Sequence, residues 1–181
     1  SMTLGVQKVP GCGTTIKHYA CNNQEDNRMG SDSILSERTL REIYLKGFEI
    51  AIKDAQPMSI MTSYNLINGV HAANYDTCTR AARDEWGFAG AIMTDWTTTN
   101  VQIQGECTAA GCMRAGNDMV MPGMEEDHEN IRKELKEGTL DIRELKRCIY
   151  NTVNIIQSNQ YEEAVSYENQ FDGLGEWLTV K

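Results

Sequence analysis

Ser36 to Tyr64 reads SERTLREIYLKGFEIAIKDAQPMSIMTSY, and its apolar residues keep two different patterns in succession. Leu40, Ile43 or Tyr44, Phe48, Ala51 and Ala55 recur at steps of three and four, which predicts a helix over 36–56 with these side chains on one face. Glu37 in the first turn and Lys53 in the last suit the helix dipole. Pro57 has no N–H to continue the helix, so the apolar run Met58 to Tyr64 reads as a short buried strand.

The same pairing of strand and helix extends in both directions. TTIKHY (14–19) predicts a strand before the helix, and Asp76 to Trp86 predicts a short helix closed by Gly87. Gly90 to Asp95 (GAIMTD) follows as a third strand, Glu106 to Ala115 as a helix, and NDMVMPG (117–123) as a fourth strand-like piece ending in a turn. Two helices follow, 127–137 closed by Gly138 and 141–158, the second with Ile142, Leu145, Ile149, Val153 and Ile156 on one face. Strand and helix alternating four times predict an α/β protein of parallel βαβ units. Four units are half of an eight-stranded (β/α) barrel, which takes about 250 residues. The expectation is a half TIM-type barrel over 1–160, with about four parallel strands and outer helices, and a polar, aperiodic tail over 161–181.

The chain has 181 residues and 40% hydrophobic content, enough for one core. A formal net charge of −9 with no run of basic residues argues against nucleic acid or an anionic membrane as partner. No apolar stretch approaches the roughly 18 residues of a membrane helix. The six cysteines form no compact framework and no CxxC pair, so reduced thiols in a cytoplasmic protein are expected, with no metal and no cofactor.

Polar residues interrupt the strands at matching places. Lys17 and His18 close the first, Tyr64 and Asn65 the second, Asp95 and Trp96 the third, and Asp118 lies in the fourth. Carboxyl ends of parallel strands converge on one rim, where ligands bind. Hydrogen-bonding charges beside aromatic platforms suit a pyranose, and a central carboxylate suits attack on its anomeric carbon. On spacing alone, a strand-end Asp is more often a cap or turn residue, and Met61 is as readily core filler. Asp118 reads as structural, and His71 and His128 as solvated.

A series of motifs in order over about residues 14 to 155 carries a family resemblance. Lys17-His18-Tyr19 is followed by Asn23-Gln24-Glu25 and Arg28, then by Ser36-Glu37-Arg38 with Leu40-Arg41-Glu42-Ile43-Tyr44. Met61-Thr62-Ser63-Tyr64-Asn65 with Asn68-Gly69, Arg83-Asp84-Glu85-Trp86-Gly87-Phe88, Thr94-Asp95-Trp96 and Met121-Pro122-Gly123 complete it. Together they resemble glycoside hydrolase family 3, especially its bacterial β-glucosidases. The resemblance implies that Asp95 is the nucleophile of a retaining mechanism and that Lys17 and His18 bind sugar hydroxyls. It implies that Tyr64 contacts nucleophile and sugar, that Met61 and Trp96 line the pocket, and that Arg28 belongs to the same motif, either at the sugar or paired with Glu25 in its loop.

A retaining glycosidase needs two carboxyl groups about 5 to 5.5 Å apart. The motifs identify one. In the resembled β-glucosidases the acid/base comes from a second α/β domain, which is not recognisable in this chain, nor is the other barrel half. Glu25, Glu106, Glu125 and Glu126 are present, but no motif assigns them that role. The chain is therefore expected to be the C-terminal half of the catalytic barrel of a β-glucosidase. Alone it should be inactive and prone to pair with itself through open strand edges. A non-catalytic sugar-binding fragment, a β-xylosidase specificity and a Schiff-base aldolase using Lys17 are the rival readings.

Overall fold

The computed structural model describes residues 2–100 and 107–158. The expected tail over 161–181 and Glu106 lie outside the described residues. Four parallel strands form the main sheet in the order β1-β3-β6-β7, with β1 Thr15–Tyr19, β3 Ser59–Thr62, β6 Ala91–Trp96 and β7 Met119–Met121. This is the α/β, half-barrel arrangement expected from the alternation of strand and helix. The helical segments are α1 Met2–Val6, α2 Glu37–Thr39, α3 Lys46–Ala55, α4 Asp76–Arg80, α5 Ala109–Arg114, α6 Glu125–Glu137 and α7 Ile142–Ser158. No described helix is long and apolar enough to cross a membrane.

Strand register assigns the two faces of the sheet. Ile16, Ile60 and Ile92 are in register across three strands, and Ile60 and Ile92 are fully buried in the main core with Tyr19, Leu40, Leu45 and Ile52. The next row is Lys17, Met61, Met93 and Met119, and it faces the other way because side chains alternate along a strand. One face thus packs on the helices, while the other carries a row of three methionines ending in a lysine. The β3–β6 spacing at its start requires Gly90, where a Cβ would run into the Met58 carbonyl.

The helix expected over 36–56 forms, and its expected face meets the core through Leu40, Tyr44, Phe48 and Ala55. Ser36 caps it by accepting from the Thr39 N–H at 3.2 Å, and a wide turn over Leu40–Tyr44 follows, with Leu45 N donating to Leu40 O at 2.8 Å. That turn inserts one residue into the helical period. Leu45 and Ile52 therefore become fully buried, while Ile43 is 66% exposed. A second wide turn, Ala81–Glu85, follows α4, and Arg41 in the first bonds Glu85 in the second with both terminal nitrogens, at 2.6 and 2.9 Å.

A small second sheet was not expected. Leu66–Ile67 (β4) and Val70–His71 (β5) form a hairpin that pairs with Asp32–Ser33 (β2). Its turn is Asn68-Gly69 with φ of 51° and 83°, the two positive values that favour Asn-Gly between strands. The hairpin carries His71 inward. His71 is buried, not solvated, and its Nδ1 accepts from Ala73 N at 3.1 Å. His128 stands largely in solvent beside Glu125.

The apolar face expected for α7 also turns outward. Ile142, Ile149, Val153 and Ile156 are exposed, while Cys148 is buried and Leu145 packs beside it. On the inward side, Asn151 Nδ2 donates to Asp118 Oδ1 at 2.8 Å. The extra residue at Leu40–Tyr44 makes a direct prediction. Leu45→Ala should cost about 2–5 kcal/mol in urea unfolding, whereas Ile43→Ala should stay within about 0.5 kcal/mol; equal costs would contradict the burial of Leu45 and the exposure of Ile43.

Candidate active site

Asp95 is the fifth residue of β6, whose sequence is AIMTDW, and it is buried at 7% exposure. Its Oδ1 accepts from its neighbour's backbone, Trp96 N, at 2.7 Å. His18 Nε2 lies 3.3 Å from the other oxygen, Oδ2. The carboxylate therefore meets a different N–H group on each side, and both come from strand ends. His18 reaches it because the β1–β3 register slips between Lys17 and Tyr19, which gives β1 one extra residue at its carboxyl end.

Tyr64, two residues beyond β3, forms a third side. Its hydroxyl donates to Trp96 O at 2.8 Å. Burial, and next the adjacent Asp95 charge, push its hydroxyl up to about 12, so it stays a protonated donor. The Arg28 guanidinium lies 5.0 Å from the Tyr64 ring centroid and pairs with Glu25 at 2.8 Å. Arg28 thus pairs with Glu25 in its loop, as one of the two sequence readings allowed, and also packs on the Tyr64 ring.

Trp96, 54% exposed, ends β6 and puts an accessible aromatic side chain next to the carboxylate. Thr97 follows at φ 57°, a left-handed conformation that is costly for a β-branched residue. Thr97 N donates to Met121 O at 2.8 Å and its Oγ1 to Trp96 O at 2.7 Å; Thr98 Oγ1 donates to Asp95 O at 2.8 Å. These bonds turn the chain sharply and hold the Asp95-Trp96 pair at the rim. The threonines carried no separate signal in the sequence.

His18, Tyr64, Trp96 and Arg28 therefore gather around Asp95. Lys17 is exposed beside His18, and Met61 is buried between Lys17 and Met93 in the register row. Among the acids considered, Glu25 is committed to Arg28, and Glu125 to Arg132 and His128. Among the described residues, no three His, Cys, Asp or Glu side chains group as metal ligands. A cleft of about 230 Å³ lies elsewhere, on the helix side, lined by Arg80, Arg83, Arg114 and Arg147 with acids between them. Each of those arginines already has a carboxylate partner.

Burial holds His18 below its ordinary value of 6.5, Lys17 and Arg28 add to this, and Asp95 opposes it. A histidine lowered in the fold takes up its proton more readily in the unfolded chain, so stability should fall as pH drops below about 6.5. His18→Gln should flatten that part of the curve when urea unfolding is measured from about pH 7.5 to 5; an unchanged acid limb would show that His18 is not held neutral.

The profile described as glycosyl hydrolase family 3 N terminal domain matches residues 1–154. A β-glucosidase of Ruminococcus albus is 42% identical over 155 residues, 82% of this chain and 16% of that protein. An exo-α-(1→6)-L-arabinopyranosidase of Bifidobacterium breve is 39% identical over 93% of this chain and 21% of its own length. The structure of β-glucosidase 3B from Thermotoga neapolitana in complex with glucose superposes with a TM-score of 0.81 at 38% identity, over 96% of this chain and 24% of that one. The chain thus spans about a fifth of the relatives it matches. A series of motifs in family order, a half-barrel of parallel strands and a match over 154 residues agree, and the chain belongs to glycosyl hydrolase family 3.

Proposed function

We propose that this chain is the C-terminal half of a family 3 barrel and supplies the nucleophile of a retaining β-glucosidase. The observation that carries this is Asp95, a strand-end carboxylate bounded by Trp96 N, His18 and the Tyr64 hydroxyl, beside an exposed indole. The Trp96 face and the Lys17, His18 and Arg28 donors suit the apolar face and hydroxyl rim of a glucosyl ring.

In the reaction, Asp95 attacks the anomeric carbon as the glycosidic bond breaks, and the sugar becomes an ester of Asp95. The leaving oxygen takes a proton from an acid/base carboxyl, and that group then activates the water that releases the sugar. As the family resemblance implies, we place that acid/base in an additional domain of the intact enzyme. The relatives include both a β-glucosidase and an arabinopyranosidase, and we favour the glucoside.

A 2-fluoro glucoside with a good leaving group should label Asp95 in the intact enzyme, and Asp95→Ala should lower hydrolysis of an aryl β-glucoside by at least about a thousandfold. The segment alone should show no turnover. Labelling of another residue would overturn the assignment. Glucose binding by calorimetry without any labelling would instead favour a sugar-binding role.

β1 and β7 are the outer strands of the main sheet, each without a partner on its outer side among the described residues. Open parallel edges pair readily, so this segment should sediment as a dimer or larger species. A monomer at concentrations well above micromolar would argue that the edges are covered.

A further inference from the structure

Cys107 and Cys112 meet for a reason of helix geometry. Thr108 is the N-cap of α5, accepting from Gly111 N at 3.1 Å, so Cys107 precedes the cap and Cys112 sits four residues beyond it. Those two positions pack together in the hydrophobic staple that fixes the entry to a helix. Here both are cysteines, and their sulfurs are 3.5 Å apart. The Asn74 Oδ1 lies 3.3 Å from Cys112 Sγ and 3.7 Å from Cys107 Sγ. Both cysteines are buried, in a small cluster with Ala73 and Val120.

The surroundings make the two thiols unequal. His71 accepts at Nδ1 from Ala73 N, which leaves Nε2 to carry the imidazole proton. The contacts with Cys112, first, and with His71 favour the Cys107 thiolate, so the Cys107 thiol is lowered to about 6 against the effect of burial. Cys112 is pushed up by its contact with Cys107 and by burial. The other buried thiols go up as well, Cys21 to about 11 and Cys78 to about 12, chiefly by burial.

We infer that Cys107 and Cys112 form a thiol modification site, in which a small hydroperoxide oxidises Cys107 and Cys112 resolves the product as an intrachain disulfide. The Cys107 thiolate attacks the outer oxygen of the hydroperoxide, the O–O bond breaks, and Cys107 becomes a sulfenic acid while an alkoxide or hydroxide leaves. The leaving oxygen takes the proton that Cys107 gave up on ionising. The Cys112 sulfur then displaces hydroxide from Cys107, the S–S bond forms, and the Cys112 proton departs with that hydroxide as water. Two electrons pass from the two sulfurs to one hydroperoxide. Burial of both sulfurs selects a small oxidant over a bulky disulfide such as oxidised glutathione. The site is independent of the sugar chemistry and needs no glycosidase activity to operate.

The test is mass spectrometry of the folded chain carrying Cys12→Ser, which removes the one exposed cysteine. Stoichiometric hydrogen peroxide near neutral pH should remove two hydrogens from the peptide joining Cys107 and Cys112, at least about tenfold faster than it modifies Cys21, Cys78 or Cys148. A reductant should reverse it, and oxidised glutathione should give no adduct. In a Cys112→Ser background, a dione probe should trap the sulfenic acid on Cys107. Oxidation spread evenly over the buried thiols, or Cys107 left reduced, would overturn the inference on the Cys12→Ser chain alone, whether or not the second variant folds.

Discussion

One buried carboxylate holds the two halves of this sheet segment to their outer layer. Asp118 immediately precedes β7, and its side chain is shielded from solvent. Its Oδ2 accepts from Ile92 N at 2.8 Å and from Arg83, while its backbone N–H donates to Ile92 O at 2.6 Å. The side chain therefore adds a rung to the β6–β7 ladder. Arg83 spends its other terminal nitrogen on the carbonyls of Phe88 and Gly90, just before β6. Asn151 brings α7 to the remaining oxygen. Removing one partner of such a pair strands a charge in the interior, which costs about 3–5 kcal/mol. On α7 the side that carries Asn151 turns toward this acid, and Ile149, Val153 and Ile156 lie exposed.

With the strands set by this clamp, alternation alone separates packing from chemistry. Ile16, Ile60 and Ile92 share one row and face the helices, whereas Lys17, Met61, Met93 and Met119 share the next and face the other way. At the carboxyl ends the regular register breaks, between Lys17 and Tyr19 on one pair and between Met93 and Trp96 on another. His18 and Asp95 both fall in these breaks. A perfectly regular ladder would place successive side chains on opposite faces; the slips free the last residues of β1 and β6 to converge.

The order of strands and helices was legible because its punctuation is chemical: Pro57 cannot continue a helix, and Gly87 and Gly138 accept the positive φ, 71° and 76°, that closes one. Asp95 at a strand end was legible for the same reason, as a charge after three apolar residues. The face of the helix over 36–56 was legible through Leu40, Phe48 and Ala55, but the choice of Tyr44 over Ile43 and the burial of Leu45 and Ile52 were not, because the inserted residue at Leu40–Tyr44 shifts the helical phase. The Asn68-Gly69 hairpin was written in the residues, yet the pair reads equally as part of a family motif. His71 looked polar and local, and only the hairpin makes it a buried neighbour of Cys107. Arg28 over Tyr64 follows from an irregular loop whose path has no period to read.

Asn117 and Asp118 show how little separates framework from rim. Asp118 turns toward Arg83 and α7, while Asn117, fully buried one residue earlier, turns the other way. Its Oδ1 accepts from Thr62 Oγ1 at 3.1 Å at the end of β3, and its Nδ2 donates to Ala73 O at 2.6 Å and to Cys112 O at 3.3 Å. One amide thus joins the end of β3, the turn after the hairpin and α5. It ties the Cys112 end of the cysteine cluster to the end of β3. The dipeptide needs both polarities because a buried amide satisfies neutral backbone groups on the rim side, whereas the arginine on the helix side requires a full charge. Exchanging the two residues would leave Arg83 without its anion and place a carboxylate against two carbonyl oxygens, so the order Asn then Asp is imposed by the fold.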